Sequence, residues 1–317
     1  MSQGVALITG IGGQDGSYLA EQLLEKGYEV HGLVQEGLGL AEHLAADVRA
    51  HVGDLRDAAS LTRAVQAANP TEIYHLAGVT APGKSWDDPA GTFDVVALGT
   101  VRLLDAVATH APKARFFLAG SAEIFGEPAS APQNEQTAFA PRNPYGAAKA
   151  AAVAATQAYR QGKGLFASVG VFYNHESPRR SVDFVTRKVT WHAAAIATGR
   201  VSELRIGNLD ARRDWGYAPE YTDGAWRALQ APQPADYVFA TGALHTVGEL
   251  VTFAFERAGV PTEGHVVVDE AFVRPEGDVA LVGDPAKARQ ELGWQAHTPF
   301  EALIAGMVDH DLEQLAA

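Results

Sequence analysis

Tyr145 and Lys149 lie four residues apart in an alanine-rich segment that is typical of a helix. Residues i and i+4 share one face of a helix, so the phenol and the ammonium would point to the same place. A cation held there should lower the phenol's pKa, which would let the tyrosine act as a general base nearer neutral pH. Ser121 and Glu123 lie just upstream, at the end of a predicted buried strand. Together the four side chains predict a site that removes a hydroxyl proton during hydride transfer.

A Tyr-x-x-x-Lys spacing also arises by chance on ordinary helix surfaces, so its context in the chain must decide. Apolar runs alternate with helical patterns through the first 175 residues. The predicted strands are Val5–Thr9, Glu29–Val34, Ala50–Val52, Glu72–Leu76, Ala114–Ala119 and Ser168–Tyr173. The predicted helices are Ser17–Glu25, Ala58–Ala68, Thr92–Thr109 and Pro144–Tyr159. This alternation predicts an α/β fold with a doubly wound parallel sheet, the Rossmann arrangement.

The pattern loosens after residue 175. Short strands are predicted near Glu203–Ile206 and Tyr237–Ala240. Helices are predicted near Phe184–Ile196, Ala218–Leu229, Val247–Ala258 and Phe300–Leu315. We therefore expect residues 1–175 to form the dinucleotide-binding domain, with chain crossings to the second half. Residues 176–317 should form a smaller α/β substrate lobe over the strand ends.

Three glycines, Gly10, Gly13 and Gly16, stand between the first strand and the first helix. Glycines there let the backbone approach a pyrophosphate at the helix N-terminus. Asp54 follows the third strand and could accept a hydrogen bond from an adenine amine, or it could simply cap a loop. The expected cofactor contacts are Gly10, Gly13, Gln14, Asp15, Gly16, Asp54, Leu55, Leu76 and Ala77, together with Tyr145 and Lys149.

The sequence favours NAD only slightly over NADP. The second strand ends Leu33-Val34-Gln35-Glu36, with no acid at Val34 for the ribose diol and no arginine for a 2′-phosphate. Glu36 would repel a 2′-phosphate if it points inward. The expected cofactor is therefore NAD(P), with a preference for NAD.

Composition excludes several classes of function. A net charge of −13 argues against nucleic-acid binding, which needs a basic face. The chain has no cysteine, which excludes disulfides and thiolate chemistry, and its histidines lack metal-ligand spacing. No apolar run approaches the ~18 to 20 residues of a membrane span, and we expect a cytoplasmic protein. An anionic ligand must meet local arginines, and the candidates are Arg179, Arg180, Arg187, Arg212, Arg213 and Arg274.

The sequence resembles the extended short-chain dehydrogenase/reductases, and within them the GDP-mannose 4,6-dehydratases, over nearly the whole chain. The segments that carry the resemblance are Thr9–Leu19, Pro141–Tyr145, Asn174–Arg180, Phe184–Lys188 and Gly207–Gly216. The last three are far more specific than the glycine triad.

The resemblance implies a dehydration of a nucleotide-linked hexose without net redox change, in which the cofactor is regenerated in each turnover. Tyr145 would take the C4 hydroxyl proton, Lys149 would orient the cofactor ribose, and Ser121 would bind the C4 oxygen. Glu123 would remove the C5 proton as water leaves from C6. The product would be a 4-keto-6-deoxy sugar nucleotide. The implied substrate contacts are Thr80, Ser85, Asn174, Arg179, Lys188, Arg213 and Arg274, and for Arg179 a structural salt bridge is the alternative.

Several positions depart from the family pattern. The family's Thr-Ser-Glu is Ser121-Ala122-Glu123 here, so either Glu123 or a water must protonate the departing hydroxyl. The family's Gln-Ser-His segment is replaced here by Val-Thr-Ala at positions 79–81. Glu276 stands where the family has a neutral residue. These changes leave the sugar and the base open. The loop after the second strand lacks the paired arginines that help build a tetramer, so a homodimer through the 92–109 and 144–159 helices is expected.

Three functional hypotheses follow. The first is a GDP-hexose 4,6-dehydratase. The second is an NAD(P)H-dependent reductase or epimerase of a 4-keto-6-deoxy or related nucleotide sugar, because Ser121-Ala122 also resembles those relatives. A reductase consumes one reduced cofactor per turnover, whereas a dehydratase consumes none. The third is a non-catalytic dinucleotide sensor, which gives no reason for the four catalytic residue types to occur together.

Overall fold

The computed structural model describes residues 3–80, 82–272 and 279–316, and its centre is a seven-stranded parallel sheet. The strands of this sheet are β1 (Val5–Thr9), β2 (Glu29–Val34), β3 (Val48–Val52), β4 (Glu72–His75), β5 (Arg115–Ser121), β6 (Ala167–Phe172) and β11 (Asp236–Phe239). Their order is β3-β2-β1-β4-β5-β6-β11, with every neighbouring pair parallel. This strand order confirms the predicted doubly wound fold.

Ten α-helices are assigned in the described part of the chain. They are α1 (Gln14–Glu25), α2 (Ala58–Ala68), α3 (Pro89–Phe93), α4 (Gly99–His110), α5 (Pro144–Lys163), α6 (Val185–Ala197), α7 (Ala218–Gln230), α8 (Val247–Ala258), α9 (Ala286–Leu292) and α10 (Phe300–Ala316). Short strands outside the main sheet are β7 (Asn174–Glu176), β8 (Leu204–Ile206), β9 (Arg212–Arg213), β10 (Trp215–Tyr217), β12 (His245–Thr246) and β13 (Val266–Val268).

Helices cover both faces of the sheet because successive strand residues point to opposite sides. In β1, Leu7 packs in the cluster formed with α2, α4 and α5. Its neighbours Ala6 and Ile8 pack in the cluster formed with α1 and α7. All three residues are essentially fully buried, which explains why the strands read as continuous apolar runs.

The second half of the chain has its own core and also returns to the sheet. Helices α6, α8 and α10 pack around residues such as Val189, Leu250 and Ile304. However, β11 is an edge strand of the main sheet, and α7 packs against α1. The second half of the chain therefore contributes one strand and one covering helix to the main sheet.

Some predicted boundaries were wrong. Helix α1 begins at Gln14 rather than Ser17, and α5 continues to Lys163 rather than ending near Tyr159. The helix expected over 92–109 is α3, a π-helical segment (Asp94–Leu98) and α4 in succession. The sequence did not predict α9 or most of the short strands, since three residues are too few to show a period. No helix of the described chain is long and apolar enough to cross a membrane.

Candidate active site

The four predicted catalytic residues meet where β5 ends and α5 begins. Ser121 is the last residue of β5 and caps a short 3-10 helix, accepting a hydrogen bond from Glu123 N at 3.3 Å. Tyr145 and Lys149 lie on one face of α5, with the Lys149 ammonium 5.9 Å from the centre of the Tyr145 ring. Both α5 side chains are buried, at 7% and 6% exposure. The end of β5 and the start of α5 therefore form one site.

The expectation that Lys149 lowers the phenol's pKa was wrong for the protein alone. Burial raises the pKa of Tyr145 to about 12, although a hydrogen bond with Ser121 opposes this shift. Burial likewise lowers the pKa of Lys149 to about 8, and the charge of Asp15 opposes that. The Lys149 ammonium donates to the Ala119 carbonyl at 2.7 Å. The phenol of the protein alone therefore holds its proton at neutral pH, and a positive charge bound beside Tyr145 would favour the phenolate.

Glu123 is held at the site by Asn143, a residue that sequence reasoning missed. The Asn143 Nδ2 donates to Glu123 Oε2 at 2.7 Å. The Asn143 Oδ1 accepts from Gly146 N at 2.8 Å, which makes Asn143 the N-cap of α5. An Asn before Pro is a typical helix start, and that pattern could have identified the cap but not the contact with Glu123.

A pocket opens beside these residues, and part of the second half of the chain lines it. Its lining residues are Ser121, Ala122, Glu123, Tyr173, Asn174, Arg213 and Leu281. Asn174 begins β7, which pairs in parallel with β10 just after Arg213. The structure thus brings two predicted substrate residues, Asn174 and Arg213, against two predicted catalytic ones. An arginine beside this polar pocket suits an anionic ligand.

The glycine loop has the shape of a dinucleotide site. Gly13 precedes α1 with no side-chain cap, so the N-terminal N–H groups of the helix remain available to a pyrophosphate. A Cβ at Gly16 would lie 2.2 Å from the Gly10 carbonyl oxygen, so the close approach of loop and helix requires glycine. Ala77, after β4, donates its N–H to Thr9 Oγ1 at 3.2 Å and lies against Gly10. The residues present fit a nicotinamide dinucleotide.

A buried polar network ties the glycine loop to β7. Gln14 donates to the His175 carbonyl at 3.1 Å and accepts from Ser177 Oγ at 2.8 Å. Asp15 pairs with His175 Nε2 at 3.0 Å. Burial would lower the pKa of His175, but the Asp15 charge and hydrogen bond outweigh it and raise this pKa. Gln14 and Asp15, at the start of α1, therefore contact β7 and the residue that follows it.

A second pocket lies at the carboxyl ends of β2 and β3, where the adenosine end of a dinucleotide would bind in this fold. It is lined by Gln35, Glu36, Val52, Gly53, Asp54, Asp57, Ser60 and Arg63. The Asp54 carboxylate accepts from Arg56 N at 2.8 Å and from the Gln35 amide at 3.3 Å. Arg63 comes from α2 and lies 3.8 Å from Asp57. Arg63 was not predicted from the sequence, because no local pattern places a residue of α2 beside the end of β2.

Two predicted substrate contacts are occupied within the protein. Ser85 is fully buried, and its hydroxyl donates to the Pro82 carbonyl at 2.6 Å and accepts from Tyr145 N at 3.2 Å. Arg179 stacks on Tyr18 at 3.9 Å and pairs with Glu21 at 2.7 Å. For Arg179 the structure shows the salt bridge that the sequence left as the alternative.

The remaining predicted anion and substrate residues lie in different places. Arg187 is buried and pairs with Asp311, so it is not a solvent-facing anion ligand as expected. Lys188 lies 3.8 Å from the Phe272 ring, and its pKa is lowered by burial, with Asp269 opposing. Thr80 is exposed after β4, and Arg274 lies outside the described residues. Among the described residues, no group of three or more His, Asp or Glu side chains could hold a metal ion.

Comparison with solved structures finds the same fold in proteins solved with nicotinamide cofactors. The UDP-glucose 4-epimerase of Thermus thermophilus, solved with NAD, superposes with a TM-score of 0.84 at 26% identity, covering 96% of this chain and 98% of that one. RMD from Pseudomonas aeruginosa, solved with NADPH, superposes with a TM-score of 0.83 at 23% identity, covering 98% and 99%. The second likeness shows the fold alone.

Comparison of sequences is more specific. The chain is 44% identical to GDP-mannose 4,6 dehydratase 1 of Arabidopsis thaliana, over 98% of this chain and 90% of that protein. It is 42% identical to the human GDP-mannose 4,6 dehydratase, over 98% and 91%. The family model for GDP-mannose 4,6 dehydratase matches residues 7–307. The chain therefore belongs to the GDP-mannose 4,6-dehydratase family.

Proposed function

We propose that the protein removes water from GDP-mannose to form the 4-keto-6-deoxy sugar nucleotide, with Ser121, Glu123, Tyr145 and Lys149 as its catalytic residues. Its membership of the family makes it an enzyme of nucleotide-sugar 4,6-dehydration. The observation that carries the assignment of residues is the pocket in which Glu123 lies beside Ser121, next to the buried Tyr145. An oxidation at C4 alone would need no carboxylate there.

The oxidation step uses the residues of β5 and α5. A nicotinamide cofactor held at the glycine loop would supply the acceptor for the C4 hydride and the donor for its return to C6, so it would not be consumed. Tyr145 takes the C4 hydroxyl proton, and Ser121, which already hydrogen-bonds with Tyr145, also binds the C4 oxygen. The Lys149 ammonium, anchored on the Ala119 carbonyl, supplies a donor for the cofactor ribose and a nearby positive charge.

The elimination step uses Glu123. The ketone at C4 acidifies the C5 proton, and the Glu123 carboxylate removes it. The C5–H electron pair forms the C5=C6 double bond, the C6–O bond breaks, and the hydroxide leaves as water after taking a proton. Hydride then adds to C6 and a solvent-derived proton to C5. Ala122 offers no polar group to the departing hydroxyl, so Glu123 or a water supplies that proton.

The substrate side is proposed to come from residues 176–317 together with the start of β7. Asn174 and Arg213 line the catalytic pocket, which supports their assignment to the sugar and diphosphate. Lys188 lies near Phe272, where a cation and a ring could flank a nucleotide. For Arg274, the family resemblance supports a role as a pyrophosphate ligand.

We propose NAD as the preferred cofactor. The second pocket carries three carboxylates, Glu36, Asp54 and Asp57, against one arginine, Arg63. Each like-charge contact costs on the order of 1 kcal/mol near water, so we expect NAD to bind about tenfold more tightly than NADP. Fluorescence titration of the free protein measures both affinities, and the Glu36→Gln variant should narrow the difference. Tighter binding of NADP than of NAD would refute the proposal.

A homodimer in the cytoplasm is the proposed state of the protein. Phe93 and Leu98, in the expected dimer helices, expose 39% and 51% of their surface. Large exposed apolar side chains in these helices suit an interface with a second copy. Light scattering at micromolar concentration tests this, and a monomer there would reject it.

The decisive experiment for the activity is incubation with GDP-, UDP- and dTDP-hexoses, NAD and no reductant. We expect mass spectrometry to show loss of one water from GDP-mannose. No loss from any nucleotide sugar would sink the dehydratase assignment. The Glu123→Gln variant is the matched test of mechanism. It should keep slow C4 oxidation but stop incorporation of solvent deuterium at C5, and undiminished incorporation would show that another group is the base.

A further inference from the structure

Asn143 joins two parts of the catalytic machinery through one side chain. Its Oδ1 accepts from Gly146 N at 2.8 Å at the start of α5, the helix that carries Tyr145 and Lys149. Its Nδ2 donates to Glu123 Oε2 at 2.7 Å. We propose that Asn143 is a positioning residue that fixes Glu123 for the removal of the C5 proton, separately from its role as a helix cap.

The surroundings of Asn143 make this contact rigid. Pro144 follows it and restricts the backbone at the start of the helix. A Cβ at Gly146 would lie 2.4 Å from the Glu123 carbonyl oxygen, so the first turn of α5 packs directly on the Glu123 backbone. The backbones of α5 and Glu123 are thus in contact, which fixes the distance that the Asn143 amide spans to the Glu123 carboxylate. Ordering a free glutamate side chain costs up to ~2 kcal/mol in lost rotamer entropy. The hydrogen bond from Asn143 offsets this cost before substrate binds.

Given the proposed role of Glu123 as the C5 base, the contact with Asn143 gives the two carboxylate oxygens different roles. The Asn143 amide N–H donates to one of these oxygens. It occupies Oε2, and among the described residues no hydrogen bond occupies Oε1. Oε1 can then take the C5 proton and pass it to the C6 oxygen as the C6–O bond breaks. Because Ala122 has no donor, a fixed carboxylate matters more in this chain than in one with a hydroxyl at that position.

An N-cap alone does not need an amide. Aspartate and serine cap helices about as well as asparagine, because capping requires only an acceptor for the N2 or N3 N–H. Asparagine differs in presenting an acceptor and a donor at the same time. Asn143→Asp keeps the shape and the cap but places a carboxylate against Glu123. Asn143→Ser keeps the cap with a shorter side chain that withdraws from Glu123.

The test uses these two cap-preserving variants in the full-length protein with GDP-mannose labelled with deuterium at C5 or at C4. A hydrogen bond to a charged group is worth enough to change a rate about 10- to 100-fold, so we expect kcat to fall by that factor. The isotope effect from C5 should rise and that from C4 should fall, because the C5 step becomes slower than the C4 step. The melting temperature of Asn143→Ser should stay within ~2 °C of the wild type, whereas like-charge repulsion with Glu123 should lower that of Asn143→Asp.

Asn143→Ala, which loses both contacts, is the stability control and should melt a few degrees lower, as expected for a lost cap. Unchanged isotope effects in Asn143→Asp and Asn143→Ser would overturn the proposal. So would a loss of rate that follows the loss of melting temperature across all three variants. If Glu123→Gln keeps C5 exchange, the role of Glu123 itself fails. If it stops exchange while the Asn143 isotope effects stay unchanged, only the inference about Asn143 fails.

Discussion

Replacing Lys149, a proposed catalytic residue, by methionine should make the protein more stable while abolishing activity. Lys149 is 6% exposed, and burial lowers its pKa from 10.5 to about 8. At ~1.4 kcal/mol per pKa unit, holding the ammonium in the folded protein at pH 7 costs ~3 kcal/mol. The variant loses the hydrogen bond to the Ala119 carbonyl, which is worth ~1 kcal/mol. The net gain should be ~2 kcal/mol.

The pH dependence gives this prediction its sign. Between pH 8 and 10.5 the folded protein has released the Lys149 proton while the unfolded chain still holds it, so wild-type stability rises with pH. The stability that the folded protein gains by releasing the Lys149 proton is complete above pH 10.5. It is lost as the pH falls through about 8. The methionine variant has no such group, so its advantage over the wild type should shrink or reverse by pH 10.

Urea unfolding of the cofactor-free protein at pH 7 and pH 10 measures both effects. Lys163→Met is the matched control, because Lys163 is exposed at the other end of the same helix. Its stability should change by less than ~0.5 kcal/mol at either pH. A Lys149→Met variant less stable than the wild type at pH 7, or an advantage that does not shrink at pH 10, would refute the reasoning.

Three further predictions concern other parts of the site. Tyr145→Phe should lower kcat at least ~100-fold in the GDP-mannose assay, as expected for a lost general base, and a smaller loss would assign the proton to another group. Asp214→Asn should destabilise the protein by at least ~3 kcal/mol in urea unfolding, because one carboxylate oxygen accepts from both Gly242 N and Gly283 N, at 3.0 and 3.2 Å, and an amide NH₂ cannot. Asp15→Asn should lower the free energy of unfolding by ~1 to 3 kcal/mol through loss of the ion pair with His175, and should weaken NAD binding in a titration. An unchanged affinity for NAD would show that this pair contributes only to stability.

The sheet and its flanking helices could be predicted from the sequence because the signals are local. The first strand, Val5–Thr9, is an apolar run bounded by glycine, and the structure has the same bounds. The helix Val247–Ala258 was likewise predicted with the observed bounds, between Thr246, which caps it, and Gly259. Where capping and periodicity agree, a single sequence is enough.

The missed features depend on contacts between distant parts of the chain. The bond from Gln14 to the His175 carbonyl spans 161 residues, and no local pattern predicts it. The strand β7 forms only because β10 pairs with it, at residues that carry no period of their own. The pKa of Tyr145 was misjudged for the same reason. Burial is the largest cause of its shift, and a spacing of four residues says nothing about burial.

The shifted pKa values of Tyr145 and Lys149 indicate what an oxidised nicotinamide would add to the site. With a pKa of about 12, the Tyr145 phenol holds its proton at neutral pH, and burial lowers the pKa of the neighbouring Lys149 ammonium to about 8. The positive ring of an oxidised nicotinamide held beside Tyr145 would favour the phenolate, and a neutral reduced ring would not. In the proposed mechanism, proton transfer to Tyr145 would thus accompany oxidation at C4. Once Tyr145 has taken that proton, removal of the C5 proton needs a separate base, and this is the proposed role of Glu123, positioned by Asn143.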